Sequence, residues 1–129
     1  MSDKPIDVSA SLEDYLEAIY VLYTRQGHVR VTDVATFLGL SKPSVNRAIN
    51  TLKNQNLLEH EYYGDLHLTP DGEKIAIDVW QRHALLRTFL TRHLGVEEAV
   101  AEKEACKIEH SVSKDTIEKL KQFMEQLEQ

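Results

Sequence analysis

The stretch VTDVATFLGLSKPSVNRAINTLK, residues 31–53, decides the fold. Its first part sets Val34, Ala35 and Leu38 on one side of a short helix that begins near Thr32 and stops at Gly39. After Leu40, Ser41 offers its hydroxyl oxygen to the free N–H groups of a new helix. Pro43 falls in the first turn of that helix, where its missing N–H costs nothing. Val45, Ile49 and Leu52 then mark the buried face. Two short helices joined by a tight glycine-containing turn, the second opening with small polar and basic residues, form a helix-turn-helix signature.

Downstream the period changes to two. Leu58, His60 and Tyr62 alternate with Glu59, Glu61 and Tyr63; Gly64-Asp65 makes a turn; Leu66 and Leu68 alternate on the return. A hairpin directly after the second helix is the wing of a winged helix. Upstream, Leu12, Tyr15, Leu16, Ile19, Tyr20 and Tyr23 share one face of a helix over roughly 11–25, with Ser11 and Asp14 spaced as a capping box. Beyond the wing, Thr69-Pro70 starts a long helix reaching about His93, closed by Leu94-Gly95. A further helix spans about Glu97 to His110, and a last one begins at Ser113. The expected fold class is mainly α with a small β-hairpin, divided into a winged helix-turn-helix domain over 1–70 and a helical part over 71–129.

A chain of 129 residues, 42% hydrophobic and 28% charged, folds rather than stays disordered. No apolar run is long enough to span a bilayer, the first ten residues lack the basic and apolar regions of a secretion signal, and the lone Cys106 fits a reducing compartment. A cytoplasmic protein without a membrane partner is the expectation. The net charge of −6 argues against nucleic acid, but its distribution reverses that reading. Residues 1–24 carry one Lys against five acids and 97–129 five bases against nine acids, whereas 25–96 carry nine bases against seven acids. Within 41–54 stand Lys42, Arg47 and Lys53 with no acid, a cationic island on the helix-turn-helix.

Cys106, Glu109 and His110, at i, i+3 and i+4, point a thiolate, a carboxylate and an imidazole in one direction, as three ligands of a divalent transition metal would. The plainer alternative is a buried cysteine beside an exposed Glu-His pair. Asp14 and Glu17 form another i, i+3 pair, off the apolar stripe of the first helix; alternatively Asp14 is the capping acid and Glu17 a solvated side chain. His83 stands within the apolar stripe of the long helix, as a hydrogen-bonded core residue or as a ligand. No glycine-rich phosphate loop, nucleophile elbow or HExxH or CxxC pattern is present, so an enzyme would need this cluster as an open metal centre.

Taken together, SLEDYLEAIY (11–20), residues 31–53, LTPDGEKIA (68–76), QRHALLRTFL (81–90) and EACKIEHSVS (104–113) resemble successive blocks of the metal-dependent bacterial repressors typified by the diphtheria toxin repressor and the manganese transport regulator. The resemblance covers residues 11 to about 125, in the family's order and spacing. It implies a homodimeric winged-helix repressor that binds double-stranded operator DNA when a divalent metal, Mn(II) or Fe(II), is held by Asp14, Glu17, His83, Cys106, Glu109 and His110. The part over 71–129 becomes the metal-binding and dimerisation domain. The DNA-reading helix falls on Ser41–Asn54 and the wing on Tyr62–Leu66. Contacts to DNA are expected from Thr32, Ser41, Lys42, Pro43, Ser44, Arg47, Lys53, Tyr63 and Gly64.

The ligand set departs from both branches. Manganese-type members usually have a glutamate where this chain has Cys106. Iron-type members have the cysteine, but with a methionine at the position of Asp14. They also place a histidine at Glu102 and an acid at Arg87 in an ancillary site, which is therefore incomplete here. Three carboxylates suit Mn(II), and one thiolate shifts preference toward Fe(II). The expected function is a Mn(II)/Fe(II)-dependent repressor of metal-uptake genes, not an enzyme, with no organic cofactor. A metal-independent winged-helix regulator with a small organic effector would leave the six ligand-type residues without a joint task. A small metalloenzyme would leave the cationic island and the wing unexplained.

Overall fold

The computed structural model describes residues 8–128; the N-terminal segment 1–7, on which the expectation of no secretion signal rests, lies outside the described residues. The elements run α1 (Ala10–Gln26), α2 (Val31–Leu38), α3 (Lys42–Asn54), β1 (Leu58–His60), β2 (Leu66–Leu68), α4 (Pro70–Thr88), a π-helical turn (Phe89–His93), α5 (Glu98–Ile108) and α6 (Lys114–Leu127). They form two compact units, one closing at Ile77 and the other opening at Asp78, inside α4.

In the first unit, α1, α2, α3 and the hairpin surround a core in which Leu16, Ile19, Val34, Val45, Ile49, Leu52, Leu57 and Leu66 are all buried. Each such aliphatic side chain contributes about 1.5–3 kcal/mol relative to exposure. The boundaries follow local chemistry. Gly39 takes φ 69°, a left-handed conformation that ends α2. Ser41 caps α3 by accepting the N–H of Ser44, with Pro43 in the first turn. At α1 the cap is Ser9, whose oxygen accepts the Leu12 N–H at 3.2 Å, and not Ser11. The earlier start lets both Val8 and Leu12 pack against the core.

The wing is a two-stranded antiparallel sheet pairing Leu58 with Leu68, Glu59 with His67 and His60 with Leu66. Its strands are shorter than the alternation implied. Tyr62 and Tyr63 belong to the connecting loop, which the Glu61 N–H closes by donating to the Asp65 carbonyl at 2.8 Å. Arg30, the N-cap residue of α2, reaches the same loop: its Nε is 3.2 Å from Asp65 Oδ1 and its Nη2 donates to the Tyr63 carbonyl. At the base of the wing, Thr69 donates its backbone N–H to the Leu57 carbonyl and its hydroxyl to the Asn56 carbonyl. Gly72 lies so close below that a Cβ there would be 2.0 Å from the Leu57 oxygen.

In the second unit, Leu86, Leu90, Ala101 and Ala105 form a small core, flanked by Phe89, Val96, Ile108, Ile117 and Leu120. The long helix does not stay α-helical to His93. The Thr91 hydroxyl takes the Arg87 carbonyl at 2.9 Å, and the Leu94 N–H reaches back five residues to Phe89. The wider turn keeps Leu90 toward the core while the chain reverses at Gly95, whose φ is 73°. α5 also stops short of His110. Its cap is Glu109, whose N–H donates to the Ala105 carbonyl at 2.9 Å, so His110 lies in the turn that follows.

Candidate metal centre and nucleic-acid interface

The second unit gathers four of the six candidate ligands. His83 comes from α4, Cys106 from the last turn of α5, and Glu109 and His110 from its C-terminal end. Glu109 is fully buried, and its Oε1 lies 2.6 Å from His83 Nδ1. Its Oε2 is buried with no hydrogen-bond partner among the described residues, and His110 Nε2 stands 4.0 Å from it. The ligand atoms of Cys106 and His110 lie within 4.8 Å of one another. The burial order is the reverse of the plainer alternative: the glutamate is sealed off, His110 has a side chain only 10% exposed, and the cysteine is half-buried.

An anionic oxygen taken out of water without a partner is costly, so this carboxylate calls for a cation. Its other oxygen is served by His83. The His83 pKa is raised to about 9, chiefly by the hydrogen bond with Glu109; burial opposes the rise, and the charges of Glu109 and Glu102 add to it. Imidazole, thiolate and carboxylate side chains at this end of α5, one carboxylate oxygen being buried with no hydrogen bond among the described residues, are donor types that fit a divalent transition metal.

Asp14 and Glu17 lie on α1, in the first unit, and both are half-buried rather than solvated. Because Ser9 is the cap, the position of the box acid belongs to Leu12, which leaves Asp14 without a capping role. Another group in the first unit, Glu61, Asp65 and His67, also brings its ligand atoms within 4.8 Å. There His67 pairs with Glu61 and Asp65 with Arg30, so each of its side chains already has a partner.

The residues expected at DNA line the outside of the first unit. Thr32, Ser41, Lys42, Pro43, Arg47, Lys53 and Tyr63 are exposed, and Ser44 and Gly64 half-exposed. Ser41 Oγ donates to Ser44 Oγ at 3.0 Å, and Arg47 Nη2 to the same oxygen at 3.2 Å, so the guanidinium is held along the N-terminal half of α3. Sequence reasoning passed over Asn46 and Asn50, which are exposed one turn apart on this helix, and Arg30 beneath the wing. The asparagines were findable as the polar i, i+4 complement of the Val45–Ile49 stripe; Arg30 was not, since its partners lie more than thirty residues away.

Two family models match the chain: the N-terminal DNA-binding domain of iron-dependent repressors over residues 7–66, and their metal-binding and dimerisation domain over 69–129. The HTH-type transcriptional regulator MntR of Lysinibacillus sphaericus (strain C3-41) is 36% identical over 119 residues, covering 92% of this chain and 85% of that protein. MntR of Bacillus pumilus (strain SAFR-032) is 39% identical, covering 90% and 82%. Among solved structures, the manganese regulator SloR superimposes with a TM-score of 0.80 at 29% identity, and IdeR of T. acidophilum with 0.77 at 28%. The match covers 88% and 87% of this chain respectively and 53% of each of those longer chains. Among the described residues no helix is long and apolar enough to cross a membrane.

Proposed function

This chain belongs to the iron-dependent repressor family, and we propose that it is a cytoplasmic, homodimeric, Mn(II)- or Fe(II)-dependent repressor that binds palindromic operators of metal-uptake genes. The observation that supports the metal dependence is the buried Glu109 carboxylate, bonded through one oxygen to His83 and without a hydrogen bond among the described residues at the other. Asp14, Glu17, His83, Cys106, Glu109 and His110 would hold the cation. When bound, it supplies the positive charge that lets three carboxylates and a thiolate share one locus. The carboxylates of α1 are then joined to donors of the 71–129 part, and the two recognition helices of a dimer are held at one spacing. Two-fold symmetry calls for half-sites about 34 Å apart, or a multiple of that. Likeness to the manganese regulator SloR favours Mn(II), whereas the thiolate of Cys106 favours Fe(II).

The test is fluorescence anisotropy of a labelled duplex selected from a random pool by the Mn(II)-loaded protein. Tight binding with Mn(II) or Fe(II) that collapses on chelation is the expected result. Equal binding with and without chelator would overturn the reading.

A further inference from the structure

The geometry points to Glu102 as a positioning residue for the metal centre, holding the outer nitrogen of His83 so that the inner nitrogen faces the cation; this rests on the reading of His83 as a ligand. Both ring nitrogens of His83 meet carboxylates, Nδ1 on Glu109 Oε1 at 2.6 Å and Nε2 on Glu102 Oε2 at 2.7 Å. The two carboxylates are not equivalent. Glu109 is sealed from solvent, carries the uncompensated oxygen and neighbours His110. Glu102 has a side chain 57% exposed, and its other oxygen lies 3.7 Å from Arg87 Nε.

A histidine that binds metal through one nitrogen keeps a hydrogen on the other, and that N–H is ordinarily given to a carboxylate, a carbonyl or water that fixes the ring. Here the inner nitrogen meets the buried carboxylate whose second oxygen has no hydrogen bond among the described residues, so Nδ1 is assigned as the metal-facing atom. Nε2–H stays on Glu102.

The surrounding charges hold Glu102 to that task. His83 and Arg87 are one turn apart on α4, and Glu98 and Glu102 are one turn apart on α5. Arg87 reaches both acids, each at 3.7 Å, so its guanidinium stands by the Glu102 oxygen that His83 does not use. Glu102 thereby acts on the metal through the orientation and tautomer of His83, while Arg87 attracts its other oxygen.

The experiment uses the full chain with 15N-labelled histidine and Zn(II) as a diamagnetic probe. Long-range 1H–15N spectra should show His83 bound through Nδ1 with Nε2 protonated. Glu102→Ala should lose the single tautomer and weaken Zn(II) and Mn(II) binding by calorimetry about 10–100-fold. Glu102→Gln, whose amide oxygen still accepts the N–H, should recover most of the affinity, and Glu104→Ala, exposed on the same helix, should match the wild type. Wild-type His83 bound through Nε2, or Glu102→Ala within about twofold of wild type with its tautomer intact, overturns the inference alone. A His83 ring that ignores Zn(II) altogether overturns the metal-centre reading along with it.

Discussion

Glu109 Oε1 lies 2.6 Å from His83 Nδ1, while the second oxygen of the same carboxylate is buried with no hydrogen-bond partner among the described residues. A buried anion hydrogen-bonded on one side only makes this end of α5 sensitive to the proton on His83, and the proposed metal response would act at the same place.

In the metal-free chain the His83 pKa is raised from 6.5 to about 9. A raised histidine pKa stabilises the fold fully below about 6.5, and the contribution is lost as pH rises through about 9. Urea denaturation in chelator, run from about pH 6 to about pH 10, should show stability falling across that window. His83→Gln should flatten this part of the profile; an unchanged slope would mean that the proton on His83 does not hold the site together.

Cys106 is the one soft donor among the six candidate ligands. Cys106→Glu makes the set all oxygen and imidazole, so Mn(II) should gain relative to Fe(II), Co(II) and Zn(II) in metal-dependent DNA binding. Folding should be little changed, since a helix tolerates glutamate. Cobalt gives a direct check. The wild type loaded with Co(II) should show a near-ultraviolet thiolate charge-transfer band that the variant lacks, and absence of the band in wild type would remove Cys106 from the ligand set.

Arg47 is exposed on α3 and held against Ser44 at 3.2 Å. Arg47→Ala should relax sequence preference as well as affinity, because a good base contact is worth about 1–3 kcal/mol. Loss of affinity uniform over all duplexes would place Arg47 on phosphate instead.

Gly72→Ala should destabilise the first unit by about 1–3 kcal/mol, because the new Cβ is driven into the Leu57 carbonyl and neither backbone has room to give. Chemical denaturation measures it. A neutral result would mean that the start of α4 can lift away from the wing.

Leu94, Val100, Phe123 and Leu127 of the second unit are exposed apolar side chains. Buried against a second copy, they should keep the dimer intact without metal, since apolar contact rather than coordination holds it. Sedimentation showing a stable metal-free monomer at micromolar concentration would contradict this.

What the sequence made legible was what local chemistry decides. Gly39 with Ser41 and Pro43 fixes the turn and the start of α3 whatever lies around them, and the Leu58–Leu68 alternation fixes the wing. Ser9 and Ser11 are equally good caps on local grounds, and only the packing of Val8 and Leu12 chooses between them. The π turn is set by where Leu90 must point, which depends on Ala101 and Ala105 in another helix. The candidate metal centre was legible only as a set of ligand-type residues, because i, i+3 and i+4 place such side chains together on one helix. The bond from His83 to Glu102 crosses between two helices, and no spacing within either announces it.

The Arg30 clamp bears on what the proposed DNA contact would cost the hairpin. A free hairpin loop must lose its backbone freedom on reaching the minor or major groove, at about 1–2 kcal/mol for each residue fixed. With Arg30 bonded to Asp65 and to the Tyr63 carbonyl, much of that ordering is complete before any encounter. In the proposed complex the wing would meet the duplex with its loop already ordered, which leaves less conformational freedom for binding to remove.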